Sequence, residues 1–187
     1  MLIALALGAG AAVLALARGG SLDALGATRL RWTPLLGAGL AAQVGAQLWS
    51  PPWLRGSWAL FVVVVSNLAI VVFIAVNRHL PGLLLADLGL VLNLAVIVAN
   101  GAMPVSPEAA RSAGLRIPGP DDPYHEVLGE GTAWPWLADV VPEPGLREVL
   151  SVGDLLLAAG IARLVYVRTS ELDGGRPGRV RESRASG

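Results

Sequence analysis

Apolar positions gather in five stretches along this chain, over residues 2–17, 33–49, 58–76, 80–99 and 149–167. A helix needs roughly 20 apolar residues to cross a hydrocarbon core of about 30 Å, and each stretch approaches that length, the first being the shortest. The first four follow one another closely, and the fifth comes only after a polar insert over 102–148. The pattern predicts an all-α fold, an integral membrane bundle of five transmembrane helices over 1–168 with the insert between helices four and five. The Arg-, Gly- and Ser-rich segment 169–187 is expected to be a disordered tail.

The arginines orient this bundle. Arg18, Arg29 and Arg31 lie between the first two stretches, and Arg78 lies between the third and fourth. Arg163, Arg168, Arg176, Arg179, Arg181 and Arg184 cluster at and beyond the end of the fifth, leaving only Arg55 in the opposite short loop. Arginines in short loops mark the cytoplasmic side. The expected topology in the plasma membrane is therefore an outer N-terminus, an outer insert and a cytoplasmic C-terminus. Ala15-Leu16-Ala17 has the form of a signal-peptide cleavage site. However, Met1-Leu2 carries no side-chain charge and Arg18 follows the apolar stretch, so the first helix is read as retained. Trp32, Trp49, Trp53 and Trp58 fall at predicted helix ends, where indoles suit the headgroup region, and Pro51-Pro52 predicts a tight outer hairpin.

Composition narrows the class further. With 54% hydrophobic and 15% charged residues among 187, the chain is too apolar for an ordinary soluble domain. Zero formal net charge offers no field for a nucleic-acid partner. The absence of cysteine excludes disulfides and thiolate metal sites. Small residues at four-residue spacing, Ala4, Gly8 and Ala12 in helix one and Gly37, Ala41 and Gly45 in helix two, allow close backbone approach. They would serve packing within the bundle or a homodimer.

Several polar residues fall inside the predicted spans. Gln43 and Gln47 share one face of helix two, Asn67 is mid-span in helix three, and Asp87, Asn93 and Asn100 lie along helix four. The amides suit interhelical hydrogen bonds. Asp87 raises the alternative of a proton or cation site, and with it a small proton- or solute-coupled transporter. In the insert, Ser106-Pro107-Glu108 reads as a helix start with Gly114 as its stop. Asp122-Pro123 predicts a second short helix over 124–128. Trp134 and Trp136 are expected to return the chain to the bilayer surface. Asp121, Asp122, His125 and Glu126 are of metal-ligand type, with two pairs at helical four-residue spacing. Capping accounts for Asp122, however, and no HExxH-type spacing is present, so neither a metal site nor a cofactor is expected.

The run Asn93-Leu94-Ala95-Val96-Ile97-Val98-Ala99-Asn100-Gly101-Ala102-Met103-Pro104-Val105-Ser106 carries a resemblance, with Leu137-Ala138-Asp139-Val140-Val141-Pro142 and Leu150-Ser151-Val152-Gly153-Asp154-Leu155. Together they resemble a bacterial family of small five-span membrane proteins catalogued as a domain of unknown function, numbered five-three-one-seven. The resemblance implies the fold and brings no activity with it. The stretch 139–160 is also similar to the last part of lipoprotein signal peptidase, an intramembrane aspartyl protease, which implies Asp139 and Asp154 as a candidate catalytic pair. That family's Asn-x-x-Asp-Arg element has no counterpart here. Read locally, Ser151-x-x-Asp154 is a capping box at the start of helix five. The expected role is a binding or accessory subunit in the lipid bilayer, with a membrane-protein partner or a second copy. The candidate binding residues are Asn93, Asn100, Met103, His125 and Asp87. The alternatives are an aspartyl hydrolase and the transporter.

Overall fold

The computed structural model describes residues 2–48 and 57–171. The predicted Pro51-Pro52 hairpin with Trp49, Trp53 and Arg55, the side chain of Gln47, and the tail beyond residue 171 lie outside the described residues. The protein is mostly helical. Its long helices are α1 (Leu2–Ala17), α3 (Thr33–Leu48), α4 (Ser57–Val76), α5 (Leu83–Asn100) and α7 (Val152–Ser170). A short α2 (Leu22–Gly26) links the first two, and α6 (Pro107–Ser112) lies in the insert. By length and composition, α4 and α5 are long and apolar enough to cross a membrane, and α1 is an apolar helix of shorter length.

The long helices pack in the neighbour order α3–α4–α5–α7–α1. Ile70, Phe73 and Ile74 of α4 meet Leu83, Ala86 and Leu90 of α5 in the main core cluster, with Leu36 and Leu40 of α3 and Leu157 of α7 at its edges. At the far end of α4, fully buried Asn77 closes the loops: Arg31 N–H donates to its Oδ1 at 2.8 Å, and its Nδ2 donates to Arg31 O at 2.9 Å.

Helix α1 lies along α7, with Gly8 facing Ile161 and Val165 as its small-residue stripe predicts. Glu148 caps the start of α1, accepting from Leu2 N–H at 2.8 Å and Ile3 N–H at 3.1 Å. The stripe on α3 is different: among the described residues nothing lies within 4 Å of a Cβ added at Gly37 or Gly45, and it is Gly39 that presses against Ser66 and Ile70 of α4. Helices four and five begin later than their apolar runs suggest, because Gly82 at φ +89° sets the start of α5 and Ser151 caps α7. At its other end α7 continues through Thr169 and Ser170, where the tail was expected to begin.

The insert is not the two-helix cap that the sequence suggests. The first helix forms as expected, Ala109 N–H donating to the Ser106 Oγ and Gly114 taking φ +69° beyond its end. The second does not. His125–Val127 forms strand β2, parallel to β1 (Met103–Val105), with Met103 opposite His125. The Asp122 carboxylate accepts from Tyr124 N–H at 2.9 Å and His125 N–H at 3.0 Å, turning the chain into an extended strand where a helix start was predicted. A hairpin of β3 (Val141–Glu143) and β4 (Glu148–Leu150) then leads into α7, and Pro135–Leu137 forms one 3₁₀ turn. Trp134 and Trp136 are exposed there. Tyr124 Oη donates to Ala46 O at 2.8 Å, fastening the insert to the end of α3.

Candidate functional site

Strand β1 and the following chain fix Asp139 by its backbone. Its N–H donates to Pro104 O, its carbonyl accepts from Ser106 N–H, and Val140 N–H donates to Leu150 O. The side chain is buried, and its Oδ1 has no hydrogen-bond partner. A few residues on, α7 opens with a complete capping box. Asp154 N–H donates to Ser151 Oγ at 3.0 Å, and Ser151 N–H donates to Asp154 Oδ2 at 2.9 Å. Asn93 of α5 joins this box from outside, donating through Nδ2 to Asp154 Oδ1 at 2.9 Å and placing its Oδ1 2.8 Å from Ser151 Oγ. The single hydroxyl proton of Ser151 has two acceptors, Asn93 Oδ1 and Asp154 Oδ2, and can serve only one at a time.

Asn93, Asp139 and Asp154 line one cavity of about 1120 Å³. Gln43 and Ala46 of α3, Val62, Val63 and Asn67 of α4 and Ile97 of α5 form its helical wall. Met103, Tyr124, His125 and Glu148 come from the insert, and the exposed Arg116 and Arg147 lie at its edge. Burial pushes the Asp139 carboxyl up to about 8, and the nearby Asp154 charge pushes the same way. Glu148 moves down: burial alone would raise it, but hydrogen bonds from the N-terminal ammonium and from the Leu2 and Ile3 N–H groups outweigh that.

The sequence candidates divide cleanly on this geometry. Asp139 and Asp154 come together in one cavity, and Asn93, Met103 and His125 line it with them. Asn100 does not. It acts as a joint to the insert, accepting from Ala133 N–H at 2.8 Å and donating to Ala133 O at 3.2 Å. Asp87 lines neither this cavity nor the neighbouring one over Pro118–Val127, although its Oδ1 also lacks a partner. His125 Nδ1 lies 3.3 Å from Asp122 Oδ1 at an exposed position. Among the described residues no three His, Asp or Glu side chains gather as a metal site requires. Sequence reasoning missed Ser151 as the link to α5 and Tyr124 as the tie to α3.

Residues 27–166 match the family described as Family of unknown function (DUF5317). The chain belongs to this family. The matched span covers α3 to most of α7 and contains every residue of the cavity named above, so the insert and its acidic floor fall within the DUF5317 region. No curated protein and no solved structure matches the chain.

Proposed function

We propose that this DUF5317 protein is a five-span integral membrane protein of the plasma membrane, with an outer N-terminus and a cytoplasmic C-terminus, whose outer cleft binds a ligand. In this reading it is a binding or accessory subunit. The observation that carries the reading is Asp139, a buried carboxyl with an unpartnered oxygen on the wall of a cavity that also holds Asp154 and Asn93. Buried polar groups are ordinarily hydrogen-bonded, so a carboxyl left without a partner beside a cavity is a candidate to take one from outside the chain. The membrane setting is supported by the wide apolar surface that α4 and α5 leave uncovered, including Phe61, Val65, Leu84 and Leu88. The arginine asymmetry supports the orientation.

Single cysteines introduced into this Cys-free chain test both parts of the reading. In intact cells an impermeant maleimide is expected to label Ser112→Cys in the insert and Asn67→Cys in the cleft, and to leave Ser183→Cys untouched. Labelling of Ser183→Cys alone would reverse the orientation. An Asn67→Cys that no aqueous reagent reaches from either side would remove the cleft.

A second reading, an intramembrane aspartyl hydrolase, is favoured by one observation: the two carboxyls in the cavity have different surroundings. Asp139 is buried and pushed up, while three donor groups, Asn93 Nδ2, Ser151 N–H and Ser151 Oγ–H, surround Asp154. Such a divided pair suits one acid and one base. Under this reading Asp139→Asn and Asp154→Asn each abolish the cellular role at unchanged membrane level. Under the binding reading Asp154→Asn, which keeps an acceptor for the cap, lowers that role only in part, at a stability cost of about 1 kcal/mol.

A further inference from the structure

We propose that the cleft takes an amphiphile with a primary ammonium head group, the ammonium seated between Asp139 and Asp154 and the apolar part along α3 and α4. The inference rests on the binding reading above and names the ligand class of the same site. Its floor is a set of acceptors. Asp139 is 92% buried and its Oδ1 receives no hydrogen bond, and neither Asp139 nor Asp154 has an ion-pair partner among the described residues. Asn93 Nδ2 is already committed to Asp154. That floor suits a compact cation with several N–H donors and no acceptor, which describes an ammonium. A carboxyl held in its neutral form by burial and a neighbouring negative charge is relieved on both counts when such a cation arrives.

The walls argue for an apolar body behind that head. Ala46, Val62, Val63 and Ile97 line the same cavity from α3, α4 and α5. Exposed Arg116 and Arg147 stand at the edge, where they suit a phosphate, the anion that an aminophospholipid carries beside its ammonium. A fully soluble amine would leave the apolar walls unused. An anionic head would bring like charge to Asp154 and Glu148.

The test uses three phospholipids with identical dioctanoyl chains and phosphates, differing only beyond the phosphate: ethanolamine, choline and glycerol. Each is titrated into the purified full-length chain in detergent, and occupancy is read by native mass spectrometry. The ethanolamine lipid is expected to bind at least tenfold tighter than the other two. Choline keeps the charge but has no N–H donors, and glycerol has donors but no charge. Asp139→Asn is expected to erase that preference while leaving weak, headgroup-blind binding, and Glu130→Gln on the exposed loop is expected to keep it. Free ethanolamine at equal concentration is expected not to compete, and if it competes fully the ligand is a soluble amine and not an amphiphile. Equal binding of all three lipids, or a glycerol preference, overturns the proposal. Should Asp139→Asn fail to fold, the ranking on the unaltered chain decides alone. If no lipid binds while Asn67→Cys remains reachable from water, the ammonium assignment fails and the cleft stands. If Asn67→Cys is sealed, the underlying binding reading fails first.

Discussion

Gly160→Leu is expected to lower the thermal midpoint of the protein in detergent by roughly 10 °C, whereas Gly45→Leu leaves it within about 2 °C. The difference follows from where the two glycines sit. A Cβ added at Gly160 would lie 2.6 Å from both Ala86 N and Gly82 O, and 2.8 Å from Ala86 Cβ. Two of these three are backbone atoms that cannot rotate away, so α5 and α7 must separate. The same seam continues toward the cleft. Gly89 packs on the backbone of Gly153 and Leu157, and a Cβ at Gly153 would overlap the Asn93 amide. Overpacking a tight core costs about 1–3 kcal/mol and more when backbone must move. A leucine at Gly160 therefore outweighs the gain of about 1 kcal/mol from removing a helical glycine. Among the described residues nothing lies within 4 Å of a Cβ added at Gly45, which collects only that gain. Because the seam aligns Asn93 with Asp154, Gly160→Leu should also weaken the link between α5 and the cap of α7. Equal midpoints for the two variants would mean that α5 and α7 are not in backbone contact.

The seam also shows what the sequence could and could not reveal. Gly82 and Gly89 are seven residues apart, as are Gly153 and Gly160, so each pair occupies one face of its helix over two turns. That signal was present, but four-residue stripes in α1 and α3 were more conspicuous, and among the described residues only the first of those packs against another helix of this chain. Helix positions followed from apolar length, since nothing else explains runs such as Phe61–Val65. The caps at Ser106 and Ser151 followed from local chemistry, because a cap needs only three or four neighbouring residues. The strands of the insert did not follow. Three-residue pairings such as Met103 opposite His125 join segments about 20 residues apart, and no periodicity over so short a run separates a strand from a helical turn. The meeting of Asp139 with Asp154 depends on those pairings, since Pro104 and Ser106 hold the Asp139 backbone. Spacing alone named both carboxyls without saying that one would be capped and the other left open.

That open carboxyl sets the second large effect, a stability that falls with rising pH. Asp139 moves from a usual value of 3.8 to about 8 in the folded protein, first by burial and then by the Asp154 charge; the N-terminal ammonium opposes the shift and Glu148 adds to it. Between those two values the folded state holds a proton that the unfolded chain has released. The native state therefore binds more protons, and unfolding becomes easier as pH rises through that window. The penalty is absent below about pH 4, grows through the neutral range and is complete above about pH 8. Each unit corresponds to about 1.4 kcal/mol, so the full span is on the order of several kcal/mol. Asp139→Asn removes the titration while keeping the side-chain shape. Its thermal midpoint is expected to exceed that of the unaltered chain by about 10 °C at pH 9, and the gap is expected to shrink steadily toward pH 4. Asp154→Asn gives an independent check, because removing its charge should lower the folded Asp139 value, so that the decline still begins near pH 4 but ends at a lower pH and is smaller. A gap between Asp139→Asn and the unaltered chain that stays constant from pH 4 to pH 9 would show that Asp139 does not titrate in this window, and that its oxygen is already served by a donor.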